Sequence, residues 1–111
     1  MAYDEDLAER IRVLAKGTSG LSEKRMFGGL GFLVHGNLAV SASGQGGLLV
    51  RVDPGESDAL VAGGEAEPMV IRGRAMHGWL RVDAKHLKTD RELARWVERG
   101  LAYAGSLPRK R

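Results

Sequence analysis

Apolar positions near the start of the chain recur at helical spacing. Leu7, Ile11 and Leu14, broadened by Ala8 and Ala15, predict a helix over residues 5–16. Asp4 stands where its side chain can accept the first free amide hydrogens, and Gly17-Thr18-Ser19-Gly20 stops the element. Asp6 with Arg10, and Glu9 with Arg12, are spaced to pair on the helix surface. From Glu23 the period changes to two. A short strand over 24–27 leads into Leu30, Phe32 and Val34 on one side of an extended run, and Leu38, Val40 and Ala42 share one side of the next. Gly36-Asn37 between them supplies the positive φ angles of a tight hairpin, and Gly28, Gly29 and Gly31 suggest a bulge or a close backbone approach.

Further on, Ser43 to Gly47 is a turn and 48–52 a β-rich strand. Such short connections join antiparallel neighbours, so this portion reads as a meander. Asp53-Pro54-Gly55-Glu56 is a helix start, with Asp53 as cap, Pro54 in the first position and Glu56 placed to reach back as in a capping box. Leu60 and Val61 give that helix a modest apolar face, and Gly63-Gly64 ends it. Pro68 opens an extended piece over 69–72, and a loop over 73–78, carrying Arg74, Met76 and His77, precedes a strand over 79–82. Thr89-Asp90-Arg91-Glu92 is a second capping box, followed by Leu93, Trp96, Val97, Gly100, Leu101 and Ala104 along one helical stripe, with Arg91, Arg95, Glu98 and Arg99 opposite.

The expected architecture is α+β: a two-layer α/β sandwich with a mostly antiparallel sheet, in the order α-β-β-β-β-α-β-β-α. The first and last helices cover one face, over a core of Leu7, Ile11, Leu14, Phe32, Val34, Leu80, Val82, Leu93, Trp96, Val97 and Leu101. At 111 residues this is one domain, with its core over 4–105 and a frayed basic tail over 106–111.

Composition changes this picture little, but it narrows the chemistry. The 16 glycines demand a turn-rich chain, and the lack of cysteine excludes disulfides, thiolate catalysis and thiolate metal sites. No apolar run approaches the roughly 20 residues of a membrane span, and the start Tyr3-Asp4-Glu5-Asp6 is acidic where a leader peptide is basic. A soluble, cytoplasmic protein is expected. The net charge of +3 divides unevenly: residues 1–71 carry −4 and residues 72–111 carry +7. A basic C-terminal half suits an anionic partner, although helix surfaces and tails also collect Lys and Arg.

Glycine-rich stretches do not make phosphate loops here. Gly29-Leu30-Gly31 has Val34 where a dinucleotide fingerprint needs its third glycine, and no Lys-Ser or Lys-Thr follows Gly44-Gln45-Gly46-Gly47. His35, His77 and His86 are scattered, without ligand spacing to one another. Neither Ser41 nor Ser43 sits in a nucleophile-elbow pattern. The reading therefore assigns no catalytic residue, no cofactor and no metal.

One constellation remains. Alternation turns Leu80 and Val82, with Met69 and Ile71, toward the core, which leaves Arg51, Arg72, Trp79 and Arg81 facing outward. Together with Arg74 and His77 of the adjacent loop they form a candidate interaction surface, of a composition frequent in binding hot spots.

Three stretches carry a resemblance: MFGGLGFLVHGNLAV from Met26 to Val40, GLLVRVDP from Gly47 to Pro54, and EPMVIRGRAMHGWLRVD from Glu67 to Asp83. In these the sequence resembles the N-terminal domain of the TfoX/Sxy family, over roughly residues 4–105. The resemblance implies a two-layer α/β fold with an inserted helix and a C-terminal helix. It also implies an association with bacterial competence and transcriptional regulation, and no catalytic residues. Full-length regulators of that family add a C-terminal helical domain resembling helix-hairpin-helix modules, and the sequence ends at Arg111, so a stand-alone domain is expected. The expected function is a non-enzymatic regulatory, protein-interaction module acting as a homodimer with an unidentified regulatory partner. The alternative is a nucleic-acid-binding accessory protein that uses the basic C-terminal half weakly and without sequence preference.

Overall fold

The structure, a computed structural model, describes residues 3–110. Helix α1 (Glu5–Ala15) is followed by strands β1 (Leu21–Met26), β2 (Gly29–Val34), β3 (Asn37–Ala42) and β4 (Leu48–Arg51). A 3₁₀ turn (Pro54–Glu56) leads into α2 (Ser57–Ala62). Strands β5 (Ala66–Ile71) and β6 (Arg74–Val82), a second 3₁₀ turn (Ala84–His86) and α3 (Asp90–Ser106) complete the chain. The element order is the predicted one.

The strands form a single sheet in the order β1-β2-β3-β4-β6-β5, with every pairing antiparallel. Helices α1 and α3 pack against each other and lie on one face, α3 across β3, β4 and β2. Between the layers sit Ile11, Phe32, Val40, Leu48, Val50, Leu80, Leu93 and Val97, all without measurable exposure, and Trp96 at their margin. Leu14 and Leu101 are half-buried at the edge of this core.

Local signals at the helix starts perform as their chemistry dictates. The Asp4 carboxylate accepts from the amides of Asp6 and Leu7, at 2.9 and 3.1 Å. Thr89 and Glu92 close a reciprocal capping box. Two expected side-chain partners differ. Glu56 does not cap; it reaches across to Arg99 of α3 at 2.7 Å, a charged partner that outcompetes a backbone amide. Arg10 turns from Asp6 to Asp90 and the Lys88 carbonyl, which ties α1 to the start of α3.

Three of the four hairpin connections are two-residue turns of one kind. Phe27-Gly28, His35-Gly36 and Arg72-Gly73 all have positive φ at both positions, which matches the right-handed twist of the flanking strands. The β2–β3 turn is therefore His35-Gly36, and Asn37 already belongs to β3, opposite Val34. The segment 73–78 is not a loop: β6 begins at Arg74, so Arg74, Met76 and His77 are strand residues. The glycines of β1–β2 do serve close approach. A Cβ on Gly29 would lie 2.3 Å from the Ala42 carbonyl oxygen.

Two strands, β3 and β6, carry irregularities. The β2–β3 register steps from Phe32↔Val40 to Leu33↔Leu38, so β3 holds one extra residue, Ala39. Ala39 joins Val34 and Ala104 on the helix side, and Leu38, expected beside Val40, lines the opposite face of the sheet instead. In β6 the break falls at Gly78: Pro68 pairs with Leu80, but Met69 pairs with Met76. On β5, Ala66 and Pro68 stand opposite the core residues Val82 and Leu80, so alternation along β5 itself carries Met69 away from the helices to a hollow shared with Leu49 and Arg81, and Ile71 is exposed, contrary to the inward placement expected for both.

The C-terminal tail is docked rather than frayed over its described length. Asn37 Nδ2 donates to the Pro108 carbonyl and the Lys110 amide to the His35 carbonyl, each at 2.9 Å, while Arg111 lies outside the described residues.

Candidate interaction surface

Strand register brings part of the predicted constellation together. Arg51 stands opposite Trp79 in the β4–β6 ladder, and Leu49 opposite Arg81. The Arg51 guanidinium lies 4.9 Å from the centroid of the Trp79 ring and 5.8 Å from that of Tyr103 on α3. It is thus held between two aromatic rings, an arrangement in which a cation is attracted by both π-faces. The β3–β4 ladder ends at Val40↔Val50, one residue short of Arg51. Arg81 donates to the Gly46 carbonyl at 3.2 Å, and both arginines and Trp79 are half-buried.

The other half of the constellation is separate. At Gly78 (φ 86°) β6 leaves β4, its carbonyl accepting from Val52 and its amide donating to Ser57 Oγ. Beyond this bend Met69–Ile71 pair only with Arg74–Met76, as a two-stranded ribbon. Every residue from Val70 to Ala75 is exposed, and Arg72, Arg74 and His77 belong to this ribbon. The six predicted residues therefore form two groups, one stacked on the sheet and one on the ribbon.

Beside the stacked group, Arg81 lines a small hollow of about 70 Å³ with Met26, Leu38, Leu49 and Met69. On its rim stands Phe27, 89% exposed, with φ at +50° in the β1–β2 turn. A bulky side chain in the left-handed region is strained, and here no internal packing offsets the strain. Sequence reasoning missed Phe27. The available signal was the residue-glycine pair after a strand, which marks Phe27 as a turn residue and hence as exposed.

A larger cleft of about 580 Å³ lies on the helix side, between α3 and the Pro54–Ala62 segment. Trp96 and Tyr103 give it aromatic walls, and Arg99 spans it to Glu56. The Trp96 indole Nε1 is buried with no hydrogen-bond partner among the described residues. Arg95, 4.0 Å from Glu65, and the carboxylate of Glu98 complete a lining of mixed charge. These residues come from segments over 30 positions apart, which no local pattern connects.

Hydrogen bonds from Arg12 hold the Glu23 carboxyl below the ordinary carboxylate range, and Glu23 and Glu9 together push the Arg12 guanidinium up. Hydrogen bonds from Thr89 hold Glu92 down. Among the described residues no three His, Asp or Glu side chains converge to hold a metal ion. No helix among them is long and apolar enough to cross a membrane.

A family model described as the TfoX N-terminal domain matches residues 13–104. No curated protein matches the chain.

Proposed function

The chain belongs to the TfoX N-terminal domain family, and from that premise we propose that it is a cytoplasmic, non-enzymatic regulatory module that acts through protein contacts as a homodimer. The observation that carries this reading is Phe27, an aromatic ring 89% exposed beside a hollow on the same surface that Met26, Leu38, Leu49 and Met69 line together with Ser41, Ser43, Gln45 and Arg81. A knob next to a hole is self-complementary under a two-fold rotation: each copy's ring enters the other's hollow. Arg81 at the wall of that hollow supplies a guanidinium over which an incoming ring can stack.

Burying two rings removes about 300–500 Å² from water, at roughly 150–250 Å² per aromatic side chain. Stable interfaces bury about 1,200–2,000 Å² in all, so the turns around the hollow must supply the rest and the dimer is expected to be weak. Competence and transcriptional regulation are the role that the family suggests for such a module. Light scattering over a concentration series tests the reading, with Phe27→Asn as the variant, since asparagine accepts the left-handed turn position. A wild type that dimerises and a folded variant that stays monomeric support it. A monomeric wild type at about 1 mM, weaker than any useful affinity of this kind, overturns the dimer. A variant that still dimerises removes Phe27 from the contact.

A further inference from the structure

We propose that the Met69–His77 ribbon is a contact element for duplex nucleic acid, entering a groove so that Arg72 and Arg74 meet phosphates on either side. The inference is independent of the dimer and rests on what the ribbon presents.

From Pro68 to Val82 the chain carries Arg72, Arg74, Arg81 and His77 and no carboxylate. Arg72 and Arg74 flank Gly73 at the turn, both exposed, and neither forms an ion pair with a described residue. Of the other described arginines, Arg10, Arg12, Arg95 and Arg99 have carboxylate partners, and Arg25, Arg51, Arg81, Arg91 and Arg109 form no ion pair with a described residue. Two of the unpaired cations of the C-terminal half sit on one projecting turn. Asp58 of α2 shares a hollow with Pro68, Ala75 and His77, on the ribbon's inner side, and that hollow does not include Arg72 or Arg74.

Shape selects among polyanions. A two-stranded ribbon, its strands about 5 Å apart, is one of the two elements that a groove about 12 Å wide admits. The apolar side chains argue against a bilayer. Val70 pairs with Ala75, and Ile71 with Arg74, so the two large apolar residues at the tip point to opposite faces of the ribbon. A membrane-inserting tip needs them on one side, whereas a ribbon seated in a groove has a wall on each.

Two phosphate contacts make a weak, salt-sensitive association without base selection, each released phosphate counterion contributing a slope of about −0.9 in log K against log salt. The test is fluorescence anisotropy with a labelled duplex of about 20 base pairs, from low to physiological salt. Arg72→Asn with Arg74→Gln is compared with Lys88→Gln and Arg91→Gln, a pair of equal charge change at exposed positions near the start of α3. Arg74→Gln alone serves if the double variant does not fold. The expected result is weak wild-type binding, at least tenfold weaker in the ribbon variant with a slope smaller by about 2, and within twofold of wild type in the control. Equal losses from both pairs would assign binding to general charge and overturn the proposal. So would an absence of wild-type binding at the lowest salt, or co-sedimentation with phosphatidylserine vesicles in place of duplex binding.

Discussion

Gly100 of α3 lies against the main chain of Ala39 in β3: a Cβ built on it would stand 2.7 Å from the Ala39 carbonyl oxygen. It would also meet Val40 Cγ1 at 2.7 Å. A glycine inside a helix costs about 1 kcal/mol relative to alanine, so its place at the centre of the longest helix is explained by this approach. Gly100→Ala is expected to destabilise the fold by about 1–3 kcal/mol in a urea melt, despite the gain in helix propensity. Gly105 in the same helix meets nothing closer than Val34 Cγ1 at 3.8 Å. Its replacement by alanine is expected to be neutral or to stabilise by up to about 1 kcal/mol. If the two variants behave alike, α3 is free to shift and the close contact does not position it.

Trp96 is the largest side chain at the helix–sheet margin and is 4% exposed. Trp96→Ala is expected to cost about 3–5 kcal/mol by removing buried area and leaving a cavity. Because its indole nitrogen has no hydrogen-bond partner among the described residues, Trp96→Phe forfeits no bond to them and is expected to cost less than half as much. Denaturant melts of the two variants provide the comparison, and equal losses would reveal a bound partner for the indole N–H.

Phe27→Asn is expected to raise the stability of the isolated protomer, by about 0.5–1 kcal/mol, because asparagine accepts the positive φ that phenylalanine adopts under strain. The measurement is a thermal melt at a concentration where the wild type is monomeric. A drop in stability would mean that the ring makes internal contacts.

Much of the architecture is legible in the sequence because it rests on local chemistry. Asp4, and Thr89 with Glu92, announce helix starts, and Leu93, Trp96, Val97, Gly100 and Ala104 mark the buried stripe of α3 through their spacing. Alternation alone put Arg51, Trp79 and Arg81 on one side of the sheet, as the ladder has them. What stayed hidden depends on register between strands. Ala39 looks like any other strand residue until Phe32 and Leu33 show which partners they take. The bend at Gly78 is similar, because a glycine near the end of an apolar run reads equally as loop or as strand. Tyr103 meets Arg51 only because α3 crosses the sheet at one angle, and the cleft along α3 is a product of the same packing.

Acid should weaken the fold in a way that these contacts specify. Glu23 and Glu92 both titrate lower in the folded protein than an ordinary carboxylate, owing first to hydrogen bonds from Arg12 and from the Thr89 backbone respectively. Their stabilising contributions are complete above the unfolded carboxylate range and disappear as pH falls through it toward the folded values. Denaturant melts across the acidic range are expected to show this decline, with a shallower slope in Glu23→Gln and Glu92→Gln. An unchanged slope in both variants would place the acid sensitivity at other carboxylates.

The extra residue in β3 has an effect that reaches the end of the chain. An odd insertion inverts the phase of every position on one side of it, so Leu38 and Asn37 are half a period out of step with Val40 and Ala42. Were Ala39 paired in a regular ladder instead of bulged out of it, Asn37 would point to the sheet's other face, away from the Pro108 carbonyl to which its amide donates. The bulge at a single alanine thus supplies one of the two bonds, with that from the Lys110 amide to the His35 carbonyl, by which residues 108–110 fold back over the β2–β3 turn.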